Sequence, residues 1–426
     1  MTVYTVKPGD TIYSIARSKG YDPQELLEIN RLSAPDALSA GQSILLPWPP
    51  ATYLVSKGDT LYGIAKYYGL SVEAILAANP QIEDAGNIYV GQVLNLPPNF
   101  WGEAVTEGYA YPGLRPATQE AALPYLTYEA IFAYETRPAG RDGVAWKVPD
   151  DDAAIARAKK YGAKPLMVLA NLDDELGGFK AQLIEPILKS GRKQEILCEL
   201  VTQQCRKKGY AGVDVDFEYL TADLRDDFGG FLARLRAWLH AEGMTLSTAV
   251  APKTKDDEPG LLYAGFDFAA HGRYCDRVLL MTYEWGYSGG EPMAVSPLKE
   301  VRKAVEYAVS RIPAQKVLLG INNYGYDWTL PYKEGTRAKV ISNQEAPALA
   351  AQYGADIQYD QAAEAPFFTY NDGNTDHIVW FEDARSMEAR FALVREFGLG
   401  GVGYWTVNNL FPQNFNLLAD RFAIVR

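Results

Sequence analysis

Ala211-Gly212-Val213-Asp214-Val215-Asp216-Phe217-Glu218-Tyr219 alternates apolar and acidic side chains, and a period of two is the period of a strand. The spacing predicts a strand over 212–218 with Asp214, Asp216 and Glu218 on one face. Val213, Val215 and Phe217 form the other face, which suits a strand packed under helices. Three acids in a row are costly to bury unless paired or protonated. Crowded like charges also push carboxyl pKa values upward. Such a face is poor scaffold, but it suits a carboxylic acid that must hold its proton near neutrality. A solvated edge strand is the alternative, and the wholly apolar second face argues against it.

The run resembles the Asp-Gly-x-Asp-x-Asp-x-Glu signature of glycoside hydrolase family 18, the chitinase-like TIM barrels. Gly212, Asp214, Asp216 and Glu218 match it, and Ala211 stands where the family has its first Asp.

The rest of the composition narrows the function classes. At 426 residues, two to four domains are expected, and 48% apolar residues allow a large core. Net charge is −12 with no cluster of Lys and Arg, which argues against nucleic acid or an anionic membrane as partner. Cys198 and Cys205 fall seven residues apart on one helical face, which reads as core packing, and Cys275 leaves the cysteine count odd. His240, His271 and His377 are scattered, so neither a His-based triad nor a zinc site is indicated. No metal and no cofactor are implied. The start, Met1-Thr2-Val3-Tyr4-Thr5-Val6-Lys7, has no charged segment followed by an apolar one, and no stretch is long enough to span a bilayer. The expectation is a chain made in the cytoplasm without a signal peptide.

The first hundred residues repeat. Val6-Lys7-Pro8-Gly9-Asp10-Thr11-Ile12-Tyr13-Ser14-Ile15-Ala16 returns as Val55-Ser56-Lys57-Gly58-Asp59-Thr60-Leu61-Tyr62-Gly63-Ile64-Ala65. The step is 49 from Asn30 to Asn79 and 50 from Gly41-Gln42 to Gly91-Gln92. Each copy reads as a strand, a Gly-Asp turn with Thr as helix N-cap, two helices, and a short strand closing at Pro. The unit resembles the LysM module, a small βααβ fold that binds N-acetylglucosamine-containing glycans. Modules are expected at 1–48 and 51–98. Pro47-Trp48-Pro49-Pro50 and Pro97-Pro98 would space them semi-rigidly.

From 103 onward, apolar runs alternate with helical patterns, the mark of a parallel α/β fold. Strands are expected at 105–109, 130–134, 165–170, 212–218, 245–251, 277–283, 316–321 and 401–407. Helices are expected at 151–161, 190–208, 223–242 and 386–397, with Ser190 and Asp223 as N-caps. The whole reads as a (β/α)8 TIM barrel over 103–426, preceded by the two βααβ modules. The segment 329–383 is longer than a crossover. It carries a hairpin, 367–370 with 378–381 around Asn371-Asp372-Gly373, where the family has an extra subdomain, expected here in reduced form.

Active sites of such barrels lie at the C-terminal ends of strands. Met281-Thr282-Tyr283-Glu284-Trp285 resembles the family's Met-x-Tyr-Asp on strand six, with Glu for Asp, and Gly403-Tyr404-Trp405 resembles its last-strand Trp. The resemblance implies a substrate-assisted mechanism, an exception to the two-carboxylate scheme. Glu218 would be acid and then base. Asp216 would orient the substrate's 2-acetamido N–H, with Asp214 behind it. Tyr283 would hydrogen-bond the acetamido carbonyl, and Trp405 would floor the sugar. Met281, Glu284, Tyr324 and Trp328 are further candidates for substrate binding. Each has a plainer alternative: Tyr283 as a packed core residue, Trp405 as barrel filling, Glu284 as a loop cap.

Two departures matter. A position before Asp214 lies deeper still than Asp214, itself about 13 Å along the strand from Glu218, so activity should survive Ala211. Leu169-Ala170-Asn171 replaces the Ser-x-Gly-Gly run of chitinases, which argues against chitin. Tandem modules, Val-Asp-Val-Asp-Phe-Glu and Met-Thr-Tyr-Glu-Trp-Gly together resemble the spore cortex-lytic N-acetylglucosaminidases of endospore-forming bacteria. That resemblance implies peptidoglycan as partner, a spore location around the cortex, and a monomer. A chitinase, or a dead barrel serving as a glycan-binding spore-layer protein, are the rivals. A metal-dependent Asp-x-Asp enzyme is a more distant one.

Overall fold

The computed structural model describes residues 1–32, 38–47, 52–98, 100–140, 142–173 and 176–426. Eight parallel strands close a barrel: Gly102–Ala110, Tyr128–Arg137, Lys164–Ala170, Gly212–Asp216, Thr245–Val250, Arg277–Leu280, Val317–Asn322 and Gly401–Trp405. Pairing of the first with both the second and the eighth closes the ring. The strands are buried on both faces along most of their length because helices surround them, as parallel sheets require.

The fourth strand shows how the pattern chose its faces. Val213, Val215 and Phe217 pack outward into the main core. There Phe217 stacks on Phe231 and packs tilted against Phe228 of the helix Arg225–His240. Asp214 and Asp216 point inward and are buried. Gly212 is needed where it stands, since a Cβ there would lie 2.2 Å from the Thr245 carbonyl oxygen of the fifth strand.

Ser190 caps Gly191–Lys208 by accepting from the Lys193 N–H, and Cys198 and Cys205 lie buried on that helix. The cap expected at Asp223 is not formed. A single 3-10 turn, Ala222–Leu224, feeds the helix Arg225–His240 directly, and Asp223 pairs with Lys189 at 2.7 Å instead. Asp226 and Asp227 in the first helical turn supply the negative charge that the helix N-terminus favours.

The segment after the seventh strand is not reduced. It forms a five-stranded antiparallel sheet, Tyr324–Leu330, Lys339–Ser342, Gln358–Asp360, Ala365–Asn371 and Asp376–Trp380, backed by the helix Glu345–Gln352. Its own core includes Ile341, Phe368, Val379 and Phe381. The hairpin turn around Asn371-Asp372-Gly373 joins two of these strands.

Both repeats fold as βααβ. In the first, Thr2–Thr5 pairs with Ser43–Leu46 around the helices Ile12–Lys19 and Pro23–Asn30; in the second, Thr52–Leu54 pairs with Val93–Asn95 around Leu61–Tyr68 and Val72–Ala78. Thr11 and Thr60 are the N-caps. A buried Asn ends the second helix of each and ties it to the closing strand. Asn30 accepts from Leu45 N–H at 2.7 Å and donates to the Leu45 carbonyl, while Asn79 does the same with Asn95. The first module is docked on the barrel, with Leu45 inside the main core and Gln413 donating to Asn30 Oδ1 at 2.8 Å. The second has a core of its own. Of the joint at 47–50, only Pro47 falls within the described residues. No helix among the described residues is long and apolar enough to cross a membrane.

Candidate active site

At the C-terminal ends of the barrel strands lies a cavity of about 710 Å³. Asp216, Glu218, Tyr283, Glu284, Met281, Tyr324 and Trp405 all line it. Asp214 does not: it sits one inward step deeper, where Tyr109 donates to its Oδ2 at 2.6 Å. The alternation read in 212–218 thus becomes a row running from barrel interior to cavity floor. Asp214 Oδ1 and Asp216 Oδ1 have no hydrogen-bond partner among the described residues. Two buried carboxyls one inward step apart on the same strand disfavour both being ionised together.

The electrostatics follow from burial. Burial is the main cause that lifts Asp216 well above its usual range, followed by the charges of Glu218 and Asp214. Asp214 is raised by burial too, against the lowering effect of Tyr109, Ser247 and Arg277. The Glu218 carboxyl is pushed up to about 7, by burial first and by Glu284 second. A carboxylic acid that keeps its proton to about pH 7 is a competent general acid. Tyr283 is buried and its phenol raised well above normal, first by burial and then by Asp216. It is therefore a neutral O–H donor.

Glu218 lies two residues beyond the strand's end, and its backbone is clamped by Asn171. The Asn171 Oδ1 accepts from the Glu218 N–H at 2.9 Å, and its Nδ2 donates to the Glu218 carbonyl at 2.9 Å. The residue that departs from the chitinase pattern on strand three thus extends the strand pairing by one amide. Tyr219 and Glu284, next to Glu218 and Tyr283, both adopt left-handed backbone with φ of 56° and 68°. For non-glycine residues this costs about 1–2 kcal/mol each, and such strain collects at functional sites.

Glu284 does not merely cap a loop. Tyr324 and Tyr326 both donate to its Oε1, the latter at 2.9 Å. Trp405 meets Phe132 edge-on at 5.1 Å and Tyr109 at 5.5 Å, so its indole is fixed while part of it borders the cavity. Trp328 does not line the cavity. It shares a face with Tyr324 and Tyr326 by the strand's period of two, but the strand has by then run past the rim. Its indole N–H donates to the Gly290 carbonyl at 2.9 Å, inside an aromatic cluster. Asp327 faces the other way, toward His377 and Tyr370. Tyr109, Tyr111 and Tyr326 were not singled out by sequence, and Asn171 was noted there only as a departure from the chitinase run. The Tyr-x-Tyr-x-Trp spacing of 324–328 carried the signal for Tyr326.

Among the described residues, no Lys, Arg or His lines the cavity, and those that do include three carboxyl groups, several tyrosines and one Trp. Flat aromatic faces with polar edges suit sugar rings.

A family model for "Glycosyl hydrolases family 18" matches residues 175–409. The chain belongs to glycoside hydrolase family 18. LysM models match residues 4–47 and 53–97 of this family 18 enzyme. It is 39% identical to the cortical fragment-lytic enzyme of Bacillus subtilis (strain 168), across 100% of this chain and 99% of that protein. The crystal structure of the Bacillus megaterium QM B1551 spore cortex-lytic enzyme SleL superimposes with a TM-score of 0.86 at 38% identity, covering 99% of this chain and 98% of that one. A chitinase from Chromobacterium violaceum ATCC 12472 matches 74% of this chain and 98% of its own, with a TM-score of 0.68 and 26% identity. That shorter match leaves a quarter of this family 18 chain without a counterpart.

Proposed function

We propose that this family 18 glycosidase cleaves peptidoglycan of the spore cortex on the reducing side of N-acetylglucosamine, with retention, using the substrate's acetamido group as nucleophile. The observation that carries this is the buried Asp214-Asp216-Glu218 row opening into a cavity lined, among the described residues, by carboxyl groups and aromatic rings. N-acetylmuramic acid carries a lactyl carboxylate, for which no Arg or Lys among the described lining residues offers a partner. N-acetylglucosamine is neutral and fits beside Glu218.

In this reading Glu218 donates its proton to the glycosidic oxygen as the bond to the anomeric carbon breaks. The acetamido carbonyl oxygen forms the new bond to that carbon, giving an oxazolinium ion. Asp216 accepts a hydrogen bond from the acetamido N–H and stabilises its growing positive charge, while Asp214 shares the pair's remaining proton. Tyr283 donates to the acetamido carbonyl, and Trp405 supports the distorted ring. Glu218, now a carboxylate, takes a proton from water as its oxygen bonds to the anomeric carbon and the bond from that carbon to the acetamido oxygen breaks, restoring the acetamido group. Full-length likeness to two cortex-lytic proteins supports the substrate and a location at the spore cortex. The LysM modules support anchoring to the glycan.

The test is mass analysis of fragments released from purified cortex peptidoglycan and from chitin, by the native protein and by Glu218→Gln. Fragments from cortex with reducing-end N-acetylglucosamine are expected, with loss of about 10²–10⁴-fold in rate for the variant. Reducing-end N-acetylmuramic acid would overturn the bond assignment. Faster release from chitin than from cortex would overturn the substrate.

A further inference from the structure

The two LysM copies contain the same turn in different surroundings. In the first, Ser39 N–H donates to Gln42 Oε1 at 3.2 Å, and Gly41 N–H donates to the Val6 carbonyl at 2.8 Å. In the second, Tyr89 N–H donates to Gln92 Oε1 at 3.1 Å, and Gly91 N–H donates to the Val55 carbonyl at 2.8 Å. Gly41 and Gly91 have φ of 81° and 87°. The backbone is the same; what covers it is not.

The first turn is sealed against the catalytic domain. The Ala40 carbonyl accepts from the Ile357 N–H at 2.8 Å, and the Gly41 carbonyl accepts from the Arg385 guanidinium at 2.9 Å. Ser43 Oγ accepts from the Ala384 N–H at 3.2 Å. A Cβ on Gly41 would lie 1.8 Å from the Ile357 carbonyl oxygen, whereas one on Gly91 would meet nothing within 4 Å. The outward face of the closing strand tells the same story. Ser43 and Leu45 are buried, while their equivalents Val93 and Asn95 are exposed.

Residue sizes agree with this division. Small Ser39 and Ala40 fit beneath the barrel's insertion, and the second copy has Tyr89 and Val90 there, 68% and 64% exposed. Val93 and its cross-strand partner Leu54 are also exposed. Among the described residues, no protein donor reaches the Val90 and Gly91 carbonyls. In the first copy the same two carbonyls accept from N–H groups of the barrel, so their placement suits a partner bearing N–H or O–H donors. An N-acetylated glycan has such donors along its length, and its sugar faces stack on a tyrosine ring.

We infer that the repeats have divided labour. The first is a structural part of the catalytic domain whose turn is closed to ligand. The second alone grips the glycan, through Tyr89, Val90 and the two open carbonyls. This rests on the glycan reading given above. It makes the anchor and the catalytic cleft, rather than two anchors, the pair that binds one strand together.

The test is co-sedimentation of the full chain with insoluble peptidoglycan sacculi, in a Glu218→Gln background so that the sacculi survive. Tyr89→Ser with Val90→Ser should weaken binding by about tenfold or more, the scale of one lost stacking contact and its neighbour. Tyr13→Ser, at an exposed tyrosine of the first copy, should stay within about twofold, below the scale of such a contact. Equal binding by the double variant, or an equal loss from Tyr13→Ser, overturns the division while leaving the function intact. A native dimer that the double variant splits into monomers, with sacculus binding unchanged, assigns the patch to a second copy and overturns it too. Failure of the unaltered Glu218→Gln chain to sediment overturns the glycan reading itself.

Discussion

Inside the barrel, Arg277 Nε lies 3.3 Å from Glu107 Oε2, a buried ion pair two positions along the first strand from Tyr109. Tyr109 faces Asp214, so Glu107 faces the same interior by the strand's period of two. Ser247 Oγ, 3.5 Å from Glu107 Oε1, stands between the pair and Asp214. The charged row of the active site therefore continues below the residues that the sequence motif names. Burial, and then Asp214, push the Glu107 carboxyl up to about 7 against the pull of Arg277.

Glu107→Gln keeps the volume and removes the charge. Glu107 ionises as pH rises through about 7, adding a second negative charge beside Asp214. Below about pH 7 Glu107 already carries its proton, so the acidic limb of the kcat/KM profile should stay in place and the variant should differ from the native chain only above that pH. Loss of half a buried ion pair should cost about 3–5 kcal/mol in urea unfolding. A profile that merely drops in height, with both limbs in place, counts against a role in setting the charge of the pair.

Glu284→Gln tests the second cause of the Glu218 shift. Glu218 must carry its proton to act, and its pKa is raised from 4.5 to about 7. Activity should therefore fall as pH rises through about 7. Without the Glu284 charge, Glu218 keeps only its burial, and this basic limb should lie between 4.5 and 7. An unmoved limb would assign the shift to burial alone.

Substrate assistance makes its own forecasts. A thiazoline analogue of N-acetylglucosamine should inhibit far more tightly than substrate binds, because it mimics the cyclised intermediate. De-N-acetylated glycan should resist cleavage at the altered residues. Asp216→Asn should lower kcat far more than it raises KM. Early products followed by NMR should be β-anomers; initial α-anomer would rule out the route and the roles of Asp216 and Tyr283 with it.

Leu45 and Asn95 occupy equivalent positions, yet only Leu45 lies in the barrel core. Leu45→Ala should destabilise the catalytic domain by about 2–5 kcal/mol. Asn95→Ala should stay within about 0.5 kcal/mol, as surface substitutions do. Urea unfolding followed through loss of hydrolysis reads this directly. Equal effects would mean that the first module is tethered rather than docked.

The barrel was legible because its strands carry local patterns: 212–218 sorts its own faces, and strand ends carry Glu218, Tyr283 and Trp405. Trp328 misled because period two fixes the face but not how far a strand runs past the rim. Asn171 stood out only as a departure from the chitinase run, and its role was hidden because its partner is the backbone of Glu218, 47 residues away. Glu107 and Arg277 are 170 residues apart, and nothing local to either announces the pair. The five-stranded insertion was underread because three of its strands are short or carry helix-like neighbours. The docking of the first module was faintly written. The closing strands read Ser43-Ile44-Leu45-Leu46 and Val93-Leu94-Asn95-Leu96, and only the first has an apolar residue, Leu45, at the third position, where the second has Asn95.

That docked face also sets an order of events during synthesis. Asn30 waits for Gln413, 383 residues later, and Leu45 waits for the barrel core. At about 5–20 residues per second, the first module is complete for roughly 20–80 s before the last helix, Pro412–Arg421, emerges. Through that interval it holds an apolar face, Val3, Ile29 and Leu45, open on the ribosome. The oldest part of the chain is then the last to find its place, and chains broken off before 412 leave that face uncovered for whatever meets it first.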